Sequence, residues 1–228
     1  MIVKTIFQFT TVPIVDIIVD ANSINKSELD TVLIKVASRC NINCNYCYVF
    51  SMGDDNWSHM EKLMSKETMG ALCESLSELA FNQKKLFSVV LHGGEPFLLG
   101  ASKLQYLLKN LRTVLPDHYP ISIQTNGVLI TKTLLDICSK YHASVAVSID
   151  GPENIHNKYR KTYNGAGTFN QVMKGIDELK SHPDSTFLNA GLLAVIDPLS
   201  DPREVYRFFK SIGAPSVDFL YKDGNHTN

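Results

Sequence analysis

Three cysteines lie within eight residues of this chain, and their spacing is the feature that most directly indicates chemistry. Cys40, Cys44 and Cys47 follow the pattern Cys-x3-Cys-x2-Cys, directly after a segment rich in β-branched residues. Three thiolates on one loop can bind three irons of a cubic iron–sulfur cluster, for which full protein ligation takes four cysteines. The fourth iron would then keep an open coordination position, and open positions are where metals take part in reactions.

A zinc site is the alternative interpretation of the same loop. Structural zinc sites take four ligands, usually arranged as two spaced pairs. Only three cysteines lie here, and the nearest downstream histidine, His59, stands at no standard zinc-finger spacing. The loop therefore favours a cluster with one iron left for a small molecule.

The bulk composition is that of an ordinary globular protein. The chain has 228 residues, 44% hydrophobic and 20% charged, with a formal net charge of -1, which suits one large domain. This balance gives no indication of a nucleic-acid partner, and no apolar run is long enough to span a bilayer. Five cysteines, three of them clustered, argue against a disulfide framework and for a reducing compartment. We expect a cytoplasmic protein with no nucleic-acid and no membrane partner.

From residue 31 onward, strand-like and helix-like segments alternate. Predicted strands cover residues 31–37, 87–92, 121–124, 144–149, 187–196 and 216–220, and predicted helices cover residues 66–80, 102–115, 132–141, 169–180 and 202–212. Strands joined by single helices are typical of a parallel sheet. We therefore predict an α/β fold, a partial (β/α)6 TIM-like barrel over residues 31–228, with a short N-terminal extension over residues 1–30.

Polar motifs follow the second, third and fourth predicted strands, where catalytic groups lie in such barrels. The motifs are His92-Gly93-Gly94-Glu95-Pro96, Gln124-Thr125-Asn126-Gly127 and Ser148-Ile149-Asp150-Gly151-Pro152. Paired glycines let the backbone approach a ligand closely, and their amides can meet a charged group. Gln124, Asn126, Ser148 and Asp150 suit ribose hydroxyls or a carboxylate, although each motif alone also fits a tight turn or a helix cap.

The cysteine loop and these motifs, in this order, resemble the radical S-adenosylmethionine (radical SAM) enzymes. The resemblance implies one [4Fe–4S] cluster on the three cysteines of the loop, with S-adenosylmethionine chelating the open iron. Tyr46, the aromatic residue before the last cysteine, belongs to the same pattern.

The resemblance also implies how the chain would bind S-adenosylmethionine. Gly93, Gly94 and Glu95 would bind its aminoacyl end, with Glu95 facing the ammonium group. Arg160, shortly after the fourth motif, would bind its carboxylate, a pairing that the forked guanidinium donors favour.

One branch of that superfamily, the SPASM group of peptide- and protein-modifying enzymes, is most similar, over about residues 31–226. The similarity implies an oxidoreductase that abstracts hydrogen from a precursor peptide or protein, with an external electron donor as a second partner. A crosslink in a ribosomally synthesised peptide is the expected product. The alternatives are an anaerobic sulfatase-type maturase that makes formylglycine and a non-catalytic peptide-binding fragment.

The chain departs from that branch at its C-terminal end. The branch continues into a cysteine-rich domain with auxiliary clusters, whereas the given sequence has no cysteine beyond Cys138. We therefore expect one cluster from these residues and assign no catalytic base. Among the remaining residues, Cys73 and Cys138 are expected in the core, and Lys158 and His182 at the surface.

Overall fold

The structure is a computed structural model that describes residues 28–53 and 55–222. The predicted N-terminal extension therefore lies outside the described residues except for its last three. Residues 223–228, the end of the predicted similarity, lie outside them too.

Strands and helices alternate along the described chain. The elements are β1 (Thr31–Ala37), β2 (Asn43–Cys44), α1 (Asn56–His59), α2 (Lys66–Asn82), β3 (Ser88–Gly93), a 3-10 helix (Pro96–Leu99), α3 (Gly100–Val114), β4 (Ile121–Thr125), α4 (Lys132–Lys140), β5 (Ala143–Ser148), α5 (Glu153–Tyr159), β6 (Arg160–Lys161), α6 (Phe169–Ser181), α7 (Ser185–Leu188), β7 (Asn189–Val195), α8 (Pro202–Ser211) and β8 (Val217–Leu220).

The main sheet has six strands in the order β1-β3-β4-β5-β7-β8, and every neighbouring pair is parallel. Strands of this sheet that follow one another along the chain are also neighbours in the sheet. Helices lie in the connections between them, as in (β/α) barrels. Among the described residues β1 and β8 do not pair with each other, so the sheet remains an open, partial barrel. This confirms the predicted α/β fold class.

The two faces of the sheet differ in burial. On one face, residues such as Val36, Val89 and Ile123 are fully buried and pack against helices, including the apolar side of α3. On the other face, which we call the open face, the alternate residues are only partly buried. They include Leu33, Lys35, Val90, His92, Ser122, Gln124, Ala146 and Ser148. Because side chains alternate along a strand, one face forms the core and the other is available to line a site.

The boundaries of the predicted elements agree with the structure to within two residues. Side-chain caps account for several helix starts: Ser65 Oγ accepts a hydrogen bond from the Thr68 amide, and the Asp201 carboxylate accepts one from the Arg203 amide. The largest difference is Phe187, which lies in α7 rather than in a strand, because the Leu188 amide closes a helical turn onto the Asp184 carbonyl.

Of two residues predicted at the surface, His182 is buried and paired, whereas Lys158 is exposed, as predicted, and also paired. His182 is 7% exposed, and its Nε2 lies 3.1 Å from Asp136 Oδ1. Lys158 donates a 2.8 Å hydrogen bond to the buried carboxylate of Asp197. Asp136 and Asp197 are distant in sequence from the residues they pair with, so composition alone does not indicate these pairs. No helix among residues 28–53 and 55–222 has both the length and the apolar character needed to cross a membrane.

Candidate functional site

The loops that follow β1 and β3 are joined through their backbones. The Gly94 amide donates a 2.8 Å hydrogen bond to the Ala37 carbonyl, and the Glu95 amide donates a 3.0 Å bond to the Arg39 carbonyl. Ala37 and Arg39 directly precede the cysteine loop. The Gly-Gly-Glu motif is therefore a support for the backbone that presents the cysteines.

The two glycines of this motif are required by the same contact. A Cβ atom on Gly94 would collide with the Arg39 carbonyl, and one on Gly93, whose φ is +140°, would collide with the Ala37 carbonyl. The close approach that the sequence predicted is thus made to the chain's own backbone, and the Gly94 amide is already bonded. A contact of these glycines with S-adenosylmethionine stays a prediction.

Glu95 is fully buried and holds the end of β4. Its Oε1 accepts hydrogen bonds from the Phe97 amide at 2.9 Å and from the Thr125 hydroxyl at 2.7 Å, and its Oε2 accepts one from the Asn126 amide at 2.8 Å. Burial raises the pKa of Glu95, and these hydrogen bonds oppose that rise. Both carboxylate oxygens are bonded within the chain, and the predicted contact with an ammonium group stays a prediction.

Asn126 connects the third motif to the cysteine loop. Its Nδ2 donates a 2.7 Å hydrogen bond to Asn41 Oδ1 and lies 3.6 Å from Cys40 Sγ. Its Oδ1 accepts a bond from the Val128 amide at 3.0 Å, which is the Asx-type turn that the sequence also allowed. The motif therefore supplies a turn and, at the same time, a polar contact beside the first cysteine.

The third and fourth motifs are joined on the open face. Gln124 Nε2 donates a 2.9 Å hydrogen bond to Ser148 Oγ, and both side chains are partly exposed. The structure therefore places these two predicted binding residues side by side.

Tyr46, Asp150 and Arg160 form a second connection to the cysteine loop. The Tyr46 hydroxyl donates a 2.6 Å hydrogen bond to Asp150 Oδ2 and accepts one of 2.8 Å from Arg160 Nη1. Arg160 Nη1 also lies 3.7 Å from Asp150 Oδ1. Burial raises the pKa of Tyr46, so the phenol keeps its proton.

Arg160 has a buried donor that nothing in residues 28–53 and 55–222 accepts. The side chain is buried, and its Nε has no hydrogen-bond partner among the described residues. A buried donor of this kind is costly unless a ligand meets it. The guanidinium therefore suits an anionic group bound at this edge of the sheet.

His156 supports this ion pair and was given no role by the sequence. Its Nδ1 accepts a 3.4 Å hydrogen bond from the Asp150 amide, and its Nε2 lies 3.0 Å from Thr168 Oγ1, which donates to the Arg160 carbonyl at 2.9 Å. Burial, with a further effect of the Arg160 charge, lowers the pKa of His156 to about 3. The neutral ring therefore connects the Asp150 amide, directly, with the Arg160 carbonyl, through the Thr168 hydroxyl.

The cysteine loop is shaped by short backbone contacts. Cys44 lies opposite Arg160 in the antiparallel β2–β6 pair, and the Cys47 amide donates a 3.1 Å hydrogen bond to the Cys44 carbonyl. The three thiols are free and partly exposed, whereas Cys73 and Cys138 are buried in the core, as predicted. Burial raises the pKa of Cys40 to about 12 and raises that of Cys44.

The donor set fits an iron–sulfur cluster. Thiolates are the usual protein ligands of such clusters, and three partly exposed thiols on one loop leave room for a fourth ligand from outside the chain. In the described part of the chain, no group of three or more His, Cys, Asp or Glu converges to hold a single metal ion. Ligands of a cluster need not converge in this way, because each thiolate bonds a different iron.

Comparison with protein families gives a match over most of the chain. The model of the radical SAM superfamily matches residues 34–208, a range that contains all three cysteines of the loop and every residue of the site described above.

Individual relatives and solved structures are similar to this chain over part of their own length. The serine-type anaerobic sulfatase-maturating enzyme of Bacteroides thetaiotaomicron is 31% identical, over 84% of this chain and 47% of its own. The cysteine-type enzyme of Clostridium perfringens strain 13 is 30% identical, over 83% and 51%. The structure of native anSMEcpe with bound AdoMet and Kp18Cys peptide has a TM-score of 0.71 at 26% identity, over 85% of this chain and 51% of that one. The chain thus spans about half the length of the curated relatives it matches.

Proposed function

We propose that this chain performs the radical chemistry of the radical SAM superfamily on a peptide substrate. The chain belongs to that superfamily, because its model matches residues 34–208. Membership confirms the predicted enzyme class and the predicted cofactors, S-adenosylmethionine and one [4Fe–4S] cluster. The peptide substrate, the external electron donor and the cytoplasmic location are our inferences for the whole protein.

The single observation that carries the proposal is that every motif bonds to the cysteine loop or to the backbone directly before it. Gly94 bonds to Ala37 before the loop, Asn126 bonds to Asn41 within it, and Asp150 bonds to Tyr46 near its end. These bonds fix the loop at the carboxyl ends of parallel strands, where (β/α) barrels place their reactive groups.

Each residue then has a part in holding the cofactors. Cys40, Cys44 and Cys47 would bind the cluster, which together with S-adenosylmethionine supplies a deoxyadenosyl radical after reductive cleavage of a carbon–sulfur bond. Arg160, through its unpartnered Nε, would bind the carboxylate of S-adenosylmethionine. Gln124 and Ser148, partly exposed on the open face, would contact the nucleoside.

The residues that are already bonded within the chain keep this site in shape. Glu95 and Asn126 hold the loop on the side of Cys40, and Tyr46 with Asp150 holds it on the side of Cys47. A radical intermediate needs such fixed surroundings, because water and misplaced groups would quench it.

Two peptide products remain candidates. Crosslinking of a ribosomally synthesised peptide follows from the motif similarity, whereas formylglycine formation is favoured by the sulfatase-maturating relatives and by the structure with a bound peptide. Both begin with removal of a hydrogen atom from the peptide, and they differ in what the peptide radical forms next.

The test is incubation of the anaerobically reconstituted, reduced protein with S-adenosylmethionine and candidate peptides, followed by mass spectrometry. We expect deoxyadenosine together with a modified peptide. Loss of two hydrogens with a new carbon–carbon bond in fragmentation spectra would identify a crosslink. Capture of the product by a hydrazide reagent would identify formylglycine. Absence of deoxyadenosine from cluster-loaded protein would contradict both and favour the non-catalytic alternative.

A further inference from the structure

We propose that a basic groove on the outer side of the cysteine loop is the docking surface for an acidic electron-carrier protein. The groove has a volume of about 430 Å³, and its lining includes Arg39, Lys62 and Lys103. The proposal rests on the proposed function, because it identifies where the external electron donor of that function binds. The carrier gives one electron to the cluster, so the carrier is oxidised as the cluster is reduced.

The groove carries an excess of positive charge. Among the described residues that line it, Arg39, Lys62 and Lys103 are cationic and Glu61 is the one carboxylate. Within residues 28–53 and 55–222, none of these three cations forms an ion pair with a carboxylate. The formal net charge of the whole chain is -1, so the groove is a local concentration of positive charge. Such a surface attracts a partner of opposite charge.

Arg39 is held at the groove by neutral groups. Its guanidinium donates hydrogen bonds to the carbonyls of Ser38, Trp57, Ser58 and Met60. It also lies 5.1 Å from the centroid of the Trp57 ring. Carbonyl oxygens and an aromatic ring fix the side chain without bringing a negative charge, so Arg39 keeps its charge for a partner.

The groove lies directly beside the first cysteine of the loop. Cys40 follows Arg39 in the chain, so their Cα atoms are about 3.8 Å apart. The Ser38 amide donates a 3.1 Å hydrogen bond to the Lys62 carbonyl, which joins the opposite wall of the groove to the same backbone. A carrier seated in the groove would therefore lie next to the loop that binds the cluster.

The groove is also separate from the open face, where the cofactor and the peptide are proposed to bind. Residues 60–64 run along the outer edge of β1, because the Met64 amide donates a 2.9 Å hydrogen bond to the Val36 carbonyl and Leu63 pairs with Ala37 in an antiparallel bridge. Lys103 lies on α3, whose apolar side packs on the buried face of the sheet. An electron carrier and a peptide could therefore be bound at the same time.

The character of the groove suits a transient partner. Electron-transfer complexes have some of the smallest protein–protein interfaces, and charged residues at such interfaces mainly speed the encounter. Lys62 is exposed and Lys103 partly exposed, so both can meet carboxylates of a passing carrier. An acidic segment of the peptide substrate is the competing occupant, and its binding would not be expected on this outer side.

The test uses an acidic 2[4Fe–4S] ferredoxin as the carrier. Isothermal titration calorimetry measures binding of the oxidised ferredoxin to the cluster-loaded protein at 50 and 300 mM NaCl. We expect the wild-type dissociation constant to rise about tenfold between these salt concentrations, because salt screens exposed opposite charges.

A double variant assigns this binding to the groove. Lys62→Met with Lys103→Met should weaken binding about tenfold at 50 mM NaCl and remove most of the salt dependence. With ferredoxin below saturation, deoxyadenosine formation should fall by about the same factor, whereas formation driven by dithionite should equal that of wild type. Lys174→Met with Lys210→Met removes the same charge from exposed positions on α6 and α8, and this control should behave as wild type.

Four outcomes would overturn the proposal. The first two are an unchanged dissociation constant in the groove variant and undetectable binding of ferredoxin to wild type up to millimolar concentration. The third is a loss of dithionite-driven deoxyadenosine formation in the groove variant, which would assign the lysines to the cofactor site. The fourth is a raised KM for the modified peptide with dithionite, which would assign the groove to the substrate. If wild type formed no deoxyadenosine with dithionite, the proposed function would fail, and the calorimetry would still decide whether the groove binds the carrier.

Discussion

Two buried carboxylates, Glu95 and Asp150, support the cysteine loop from opposite sides, and they are stabilised differently. Glu95 accepts three hydrogen bonds from neutral groups and has no ion-pair partner among the described residues. Asp150 accepts bonds from Tyr46 and Val195 and also faces the guanidinium of Arg160 at 3.7 Å.

The difference indicates which side still has hydrogen-bonding groups that a ligand can bind. On the Glu95 side, both carboxylate oxygens are bonded within the chain, so this side is a fixed support. On the Asp150 side, Arg160 brings a positive charge and an unpartnered Nε. A cofactor that carries a carboxylate would complete the second side and leave the first unchanged.

Replacement of Arg160, the cation on the Asp150 side, should have the largest effect on stability. Arg160→Met leaves Asp150 buried without its counter-charge, and we expect the free energy of unfolding to fall by about 3–5 kcal/mol. Urea unfolding of the chain measures this. The exposed neighbour provides the control, because Lys161→Met should change stability by less than about 0.5 kcal/mol. A loss in Arg160→Met no larger than in the control would mean that Asp150 does not depend on the ion pair.

A neutral replacement of the other carboxylate should cost less. In Glu95→Gln the new amide hydrogens face the Asn126 amide, so one buried hydrogen bond is lost, and we expect a destabilisation of about 1–3 kcal/mol. Glu74→Gln, on the exposed side of α2, is the matched control. If Glu95→Gln were as stable as wild type, the view of Glu95 as a fixed support would be wrong.

The pH dependence of stability should report on the Asp150 side, because the buried His156 lies beneath its ion pair. The pKa of His156 is lowered from 6.5 to about 3 in the folded chain. Between these pH values the unfolded chain therefore binds a proton at this residue and the folded chain does not. This residue's contribution to stability is therefore complete above about pH 6.5 and falls by up to about 1.4 kcal/mol per pH unit as the pH decreases towards 3.

Unfolding curves of wild type and His156→Gln at several pH values would show this as a shallower slope in the variant. The exposed His59→Gln should follow the wild-type slope. Identical slopes in wild type and His156→Gln would contradict the burial of a neutral imidazole beneath Asp150 and Arg160.

The convergence of the motifs could be predicted from the sequence for a simple reason. Parallel strands end at one edge of a sheet, so polar residues after successive strands meet there, and apolar periodicity fixed the order of strands and helices. The three cysteines, the Gly-Gly-Glu motif and Asp150 all lie where this argument places them.

What the sequence could not indicate are contacts between residues far apart in the chain. Glu95 bonds to Thr125 and Asn126 some thirty residues away. Lys158 bonds to Asp197 across thirty-nine residues, which no local pattern signals. The β2–β6 pair has two residues in each strand, and α5 buries only Ile155 and His156. These elements are therefore too short to show a periodic pattern of apolar residues in the sequence.

The central claim is that the loop of Cys40, Cys44 and Cys47 holds the cluster that supports cleavage of S-adenosylmethionine. Its most direct test is anaerobic reconstitution of wild type, Cys44→Ala and Cys73→Ala, with measurement of visible absorption and of deoxyadenosine formed after reduction. We predict that Cys44→Ala loses both signals, whereas Cys73→Ala, altered only in the core of α2, keeps both. An unchanged spectrum and unchanged deoxyadenosine formation in Cys44→Ala would contradict the account.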